Sequence, residues 1–207
     1  MPAPLLPRRS ITTALLALPA FWTAARAQPA GQLRPTPSQT EGPFYPVRLP
    51  ADADNDLLRN GALDYGRGQP AWVEGQVLDL QRRPVSGAQV EIWQCDEAGH
   101  YHHPGDGSRA DPAFQGFGRM RVGPGGSYRF RTIRPVPYGG RTPHIHLKVR
   151  LGGRELLTTQ LYVQGDPHNE RDGLWRRLTA AEREALTVPF GAGPGGLRAR
   201  FPVVVVA

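Results

Sequence analysis

The chain has a single cysteine, Cys95, among 207 residues. No intrachain disulfide can brace it and no cysteine pair can build a zinc site, so its stability must come from packing and from any metal it binds. Lys148 is its only lysine, and the rest of its 25 basic residues are arginines. They are scattered singly, with no basic run and no interleaved aromatics, which argues against a nucleic-acid partner. The apolar run "SITTALLALPAFW" is too short to span a bilayer. What is abundant is Gly 25 and Pro 22, the punctuation of hairpins rather than of helices. With 39% hydrophobic and 21% charged residues, the length suits one soluble domain with a real core and an extra arm.

The first residues do not read as part of that domain. Arg8 and Arg9, the apolar run and the small residues "ARA" at 25–27 follow the order of an export signal. The paired arginines point to the twin-arginine route, with a Sec signal as the rival. The expectation is a leader over 1–27 and a periplasmic or secreted protein with no membrane association once the leader is removed. Loss of Arg8, Arg9 and Arg26 lowers the formal charge from +7 to +4.

Residues 28–69 are rich in Pro, Gly and Asp and lack sustained periodicity, as expected of an extended arm laid over the domain near its active site. From 70 to 207 the pattern becomes that of strands. "AWVEGQVLDL" and "AQVEIWQ" alternate on either side of the turn "QRRPVSG", which predicts an antiparallel pair over 72–80 and 88–94. A polar, glycine-punctuated loop follows over 96–119, of a length that usually carries function. Alternation returns over 127–133, 144–151, 155–163 and 200–206, and "TAAEREALT" carries a capping-box pattern for one short helix over 179–186. The fold class is therefore all-β, a two-sheet sandwich with an N-terminal arm and one short helix.

The chemistry centres on "PYGGRTPHIHLKV" at 137–149. Alternate residues of a strand share a face, so His144 and His146 sit side by side, roughly 7 Å apart at Cα, within reach of one ion. That spacing alone fits a solvent-facing strand edge equally well. No Asp or Glu stands two residues along the strand to complete a facial triad. Phenolic oxygen remains as a donor, from Tyr138 in the preceding turn and Tyr101 in the long loop. A phenol with an ordinary pKa near 10 is held as phenolate at neutral pH only by a strongly Lewis-acidic ion such as Fe(III).

At this point the sequence resembles the intradiol ring-cleavage dioxygenases, the protocatechuate 3,4-dioxygenase and catechol 1,2-dioxygenase group. The matching pieces are "TPSQTEGPFYP", "VEIWQCDEAGHYHH", "GSYRFRTIRPVPY", "RTPHIH" and "TTQLYVQGDP", in the family's order. The resemblance implies that Tyr101, Tyr138, His144 and His146 bind one non-haem Fe(III), with Tyr138 and His146 axial and Tyr138 the ligand that leaves when a catechol chelates. It implies that Arg141 stabilises charge on the substrate ring, that Gln160 lies close to that arginine, and that Thr40, Gly42 and Pro43 line the pocket. It implies O2 as co-substrate, a small catecholic substrate opened between its hydroxyl-bearing carbons and a muconate-type diacid as product. The link "GGRTP" is shorter than in the intracellular enzymes and resembles that of secreted, single-domain members, which implies an open pocket and leaves the particular catechol unnamed. Oligomerisation as homo-oligomers stays open, because the arm can pack on its own domain or on a neighbour.

Several residues have plainer readings. His100, His102 and His103 read chiefly as solvated loop residues, and Tyr45, Tyr65, Tyr128 and Tyr162 as packing residues. Cys95 reads as a small buried residue. "DADNDLL" at 52–58 opens like a calcium loop but lacks the glycine and terminal glutamate. The rival to an enzyme is a transthyretin-like or carboxypeptidase-regulatory-like binding module, whose strands also read as "VEGQVLDLQRRPVSGAQVEIW". Such a module has no reason to hold the two tyrosines and two histidines. A zinc- or copper-binding relic is a third reading.

Overall fold

The computed structural model describes residues 31–207, so the expected leader over 1–27 lies outside the described residues. Along the described chain the strands are β1 (Arg59–Asn60), β2 (Leu63–Asp64), β3 (Pro70–Asp79), β4 (Gln89–Trp93), β5 (Phe117–Arg121), β6 (Ser127–Ile133), β7 (His144–Leu151) and β8 (Arg154–Val163). Two short helices, α1 (Gly173–Arg177) and α2 (Ala180–Leu186), lead to β9 (Thr187–Val188), β10 (Gly191–Gly193), β11 (Gly196–Arg200) and β12 (Val203–Val205). The first sheet is built on β3, which pairs antiparallel with β6 and parallel with β11 and then β12, while β10 folds back on β11. The second sheet has the order β5-β4-β7-β8-β9.

Period-two alternation explains how the sheets meet. Val73 and Val77 of β3, Val90 and Ile92 of β4, and Ile145, Leu147 and Val149 of β7 share one core cluster at 0% exposure. Burying each such side chain contributes about 1.5–3 kcal/mol, more than any surface contact on this chain can offer. The expected antiparallel pair of 72–80 with 88–94 is therefore corrected: β3 and β4 lie in different sheets. Their apolar faces oppose one another across the core, and the intervening turn carries the chain between the layers after one bridge, Leu78 with Pro84. Alternation identifies a strand and its buried face, but both arrangements bury that face equally.

Two smaller differences have local causes. The strand expected over 200–206 is broken between β11 and β12, where Pro202 has no N–H to give to a ladder. Helix α2 carries the capping box read from the sequence, with Thr179 and Glu182 bonded reciprocally. The five-residue helix α1 was not expected, because one turn is too short to show a helical period.

The arm ties the layers together at both sides. Thr36 N donates to Val204 O at 2.9 Å in the first sheet, and Gln39 N donates to Thr158 O at 2.9 Å in the second. Beyond Thr40 the arm covers the outer face of the second sheet. It then returns through Ala53, whose carbonyl accepts Arg119 N of β5, and Leu57, whose N–H donates to Arg131 O of β6. Leu57, Leu58 and Tyr65 enter the main core. Because the arm lies over β7, both faces of that strand are buried: His144, His146 and Lys148 are only 1%, 1% and 2% exposed.

Candidate metal centre

The site is built where β7 begins. Tyr138 and Arg141 close a four-residue turn, with Arg141 N donating to Tyr138 O at 2.7 Å. Gly139 and Gly140 occupy its centre with φ of +50° and +79°. Two successive positive φ values are the mark of a type I′ turn, which glycine enters without the strain a Cβ brings. A Cβ at either position would meet no heavy atom within 4 Å, so the turn itself faces open space. Tyr101 arrives from the long loop. Its N–H donates to Asp106 Oδ2 at 2.7 Å, while Asp96 Oδ1 receives the N–H groups of Ala98 and His100 and fixes the loop's bend. Phe44 of the arm stacks on the Tyr101 ring at 4.8 Å.

These elements bring all four candidate ligands together. Ring centroids of Tyr101 and Tyr138 are 5.0 Å apart, those of His144 and His146 4.8 Å, and those of Tyr138 and His144 5.4 Å. Tyr101 Oη, His144 Nε2 and His146 Nδ1 are buried polar atoms without a hydrogen-bond partner. A buried polar group left unpaired costs on the order of 1–3 kcal/mol. Three such atoms on neighbouring rings, with His146 4.8 Å from His144 and 6.3 Å from Tyr101 between centroids, fit a group satisfied from outside the chain.

The protonation states suit a cation. His144 Nδ1–H donates to Thr142 O at 2.6 Å, which leaves Nε2 with a lone pair aimed away from the strand. Burial, helped by the Arg141 charge, pushes the His144 pKa down to about 4, and burial with His144 and Arg141 nearby holds His146 well below its ordinary range. Burial, with Cys95 and Tyr138 adding, pushes the Tyr101 phenol well up. Tyr138 is also raised by burial, partly offset by the Tyr101 hydroxyl and the Arg141 guanidinium. Neutral imidazoles and two phenols that cannot ionise unaided make a donor set that fits a strongly Lewis-acidic metal ion, whose charge would supply the missing partner.

Arg141 is held beside this set. Its Nε donates to Asp172 Oδ2 at 2.7 Å and its Nη2 to Gln160 Oε1 at 2.8 Å. Gln160 faces His146 across the β7 and β8 ladder, and its Nε2 donates to Thr40 O at 2.8 Å, so the expected residues Arg141, Gln160 and Thr40 form one chain of contacts. Gly42 has φ +72° and lies so close to the imidazole that a Cβ there would stand 3.3 Å from His146 Cε1. Pro43 is exposed beside it.

Sequence reasoning missed three residues. Trp93 stacks on His146 at 4.7 Å and 7°, and its position opposite His146 follows from the β4 and β7 register, a signal that needs the correct strand partner. Phe44 sits on the arm and left no periodic trace. Asp172 is fully buried beside Arg141, thirty-one positions away in sequence. The loop histidines are engaged with the chain itself: His102 with Phe114 O, His103 with Gly105 N, His100 beside Asp106. Tyr65, Tyr128 and Tyr162 are core residues, and Cys95 is a buried thiol that burial pushes up to about 12. In the "DADNDLL" stretch Asp52, Asp54 and Asp56 accept N–H groups of Gly61, Asp56 and Leu58.

A two-sheet sandwich gathers two tyrosines, two histidines and a pinned arginine at one end of β7, and the family to which this arrangement belongs follows from comparison with known proteins. The family model described as "Dioxygenase" matches residues 40–188, and the chain belongs to the intradiol ring-cleavage dioxygenase family. It is 30% identical over 190 residues to the hydroxyquinol 1,2-dioxygenase of Nocardioides simplex, covering 79% of this chain and 62% of that enzyme. It is 33% identical over 189 residues to the protocatechuate 3,4-dioxygenase beta chain of Burkholderia cepacia, covering 83% of this chain and 79% of that one. The dioxygenase domain of a dioxygenase and carbohydrate-binding protein fusion from Streptomyces sp. SirexAA-E superposes with a TM-score of 0.67 at 33% identity, over 84% of this chain and 100% of that domain. The chain spans less than two thirds of some of the curated relatives it matches, 62% of the first and 46% of the hydroxyquinol 1,2-dioxygenase of Corynebacterium glutamicum.

Proposed function

We propose that this protein is an iron-dependent intradiol dioxygenase, which opens a catecholic ring between its two hydroxyl-bearing carbons with O2 and releases a muconate-type diacid. The observation that carries the reading is the clustering of the Tyr101, Tyr138, His144 and His146 rings, with a buried polar atom on each of Tyr101, His144 and His146 left without a hydrogen-bond partner. These four residues would hold the metal. Bound Fe(III) would supply a Lewis acid that gathers both catechol oxygens and draws electron density from the ring.

The protein's own groups divide the remaining work. Tyr101 is 2% exposed and pinned through its backbone and by Phe44, so it is the phenol that stays. Tyr138 is half-buried on the glycine turn, so it would be the more readily displaced of the two phenols, and its oxygen would be placed to take a catechol proton. With Arg141 Nε and Nη2 committed to Asp172 and Gln160, its Nη1 would be left to meet charge that develops on the ring. Thr40, Gly42 and Pro43 would line the pocket on the arm side, a reading supported by Gly42, which admits the arm to contact distance of His146. Residues 1–27 support the further reading that the enzyme works outside the cytoplasm, testable by the location of a full-length fusion.

The test is a labelled turnover. Iron-loaded protein and catechol under 18O2 should give cis,cis-muconate with two labelled oxygen atoms, one on each new carboxyl group. A semialdehyde from cleavage beside the diol, or no ring-opened product with any of catechol, hydroxyquinol and protocatechuate, overturns the reading.

A further inference from the structure

We infer that Asp172 is a positioning residue of the reaction, whose carboxylate sets the direction of Arg141 and, through Thr142, of His144. The inference rests on the functional reading above.

The geometry is that of a saturated node. Asp172 is 0% exposed. Its Oδ2 accepts Arg141 Nε at 2.7 Å and Thr142 N at 2.9 Å, and its Oδ1 accepts Leu174 N at 2.8 Å and Trp175 N at 2.9 Å. A carboxylate offers about four lone-pair sites, so these donors leave no room for water or for a rotated side chain. Thr142 is fixed a second time, its hydroxyl donating to Asn169 Oδ1 at 2.7 Å, and Asn169 Nδ2 in turn donates to Val163 O at 2.9 Å. The Thr142 carbonyl then accepts His144 Nδ1–H. One carboxylate thus orients the cation beside the substrate and the carbonyl that fixes an imidazole. Arg141 needs such a hold, because the turn at Gly139 and Gly140 faces open space and a long side chain there is otherwise drawn to solvent. Gln160 supplies the other hold, but its amide oxygen is neutral, and a carboxylate makes the stronger, charge-assisted bond to a guanidinium.

The bland role for Asp172 is as the N-cap of α1, and substitution separates the two roles. Asp172→Ser keeps a good N-cap residue but is too short to reach Arg141. Asp172→Asn keeps the size and can satisfy only part of the four donors. The first readout needs neither iron nor activity: the side-chain Nε–H signal of Arg141 in the iron-free protein, assigned by its loss in Arg141→Gln. A slowly exchanging signal is expected in the wild type and its loss in Asp172→Ser. The second is turnover by the iron-loaded enzyme. Asp172→Ser should lower kcat/KM by about 10–100-fold at a temperature where it remains folded, the range typical of a residue that orients another functional group. In Arg141→Gln it should cause a smaller loss, because the share of Asp172 that acts through Arg141 is already gone and only the share through Thr142 remains. If Asp172→Ser does not fold, Asp172→Asn takes its place with the same expectations. A retained Arg141 signal, or an equal loss of turnover in the Arg141→Gln background, overturns the inference. A wild type with no ring cleavage overturns the functional reading instead, and the Arg141 signal still decides whether Asp172 holds the arginine.

Discussion

The turn at Gly139 and Gly140 gives the sharpest link from sequence to activity, and Gly140→Ala perturbs it with little ambiguity. The residue has φ +79°, and an added Cβ would meet nothing within 4 Å. Steric clash is therefore excluded, and the cost is the conformational one of holding an L-residue left-handed, about 1–2 kcal/mol. Reduced freedom of the unfolded chain offsets part of it, on the order of 0.5 kcal/mol, leaving a net destabilisation of about 1 kcal/mol. For a domain of this size that lowers Tm by roughly 2–4 °C. Asn tolerates the left-handed region better than Ala, so Gly140→Asn should recover most of the loss. The turn also sets the separation of Tyr138 from Arg141, so relaxing it should lower kcat/KM more than it lowers stability. Thermal unfolding and steady-state cleavage of catechol on the three proteins decide the matter. Gly140→Ala matching the wild type in both, or Gly140→Asn proving as damaging as Ala, refutes the reasoning.

Two further outcomes follow from buried charge. Lys148 donates to Glu41 of the arm, lies 3.1 Å from Glu155 and sits 4.4 Å from the Tyr45 ring, so Lys148→Met should loosen the arm that carries Thr40 and Gly42. Both carboxylates are nearly half exposed and rehydrate, so about 1–2 kcal/mol of stability should go, with a rise in KM for catechol; unchanged Tm and KM would contradict the arm's role. His144 has its pKa depressed to about 4 in the fold, so the unfolded chain binds more protons below its ordinary value near 6.5. Iron-free protein should therefore be most stable above that value and lose stability, on the order of 3 kcal/mol, as pH falls from about 6.5 to about 4. Asp172, held below its ordinary value by the N–H groups of Trp175 and Thr142 and by Arg141 despite its burial, loses its contribution lower still. Urea midpoints that rise on acidification across that window would contradict these assignments.

How much of this was legible in the sequence differs by kind of interaction. β6 and β7 run over the residues that alternation marked: β6 is half-buried and writes its face into every second residue, while β7 alternates apolar core residues with the polar residues the arm covers. The partners of β3 were not legible, since Val73 and Val77 need apolar neighbours across the core and do not say which strand lies alongside. The helix α2 was announced by its capping box, whereas α1 is one turn held by Asp172. In the site, Tyr138, Arg141, His144 and His146 lie within nine residues and could be read together. Phe44, Trp93 and Asp172 reach the same place from the arm, from β4 and from the loop before α1, and only the folded chain brings them there.

The central claim is that two phenolates and two imidazoles hold ferric iron, and the visible spectrum of the iron-loaded protein tests it most directly. A tyrosinate-to-iron charge-transfer band should colour the protein, shift when catechol is added without O2, and change in Tyr138→Phe. A colourless protein with stoichiometric iron, or a band that Tyr138→Phe leaves unchanged, would contradict the account.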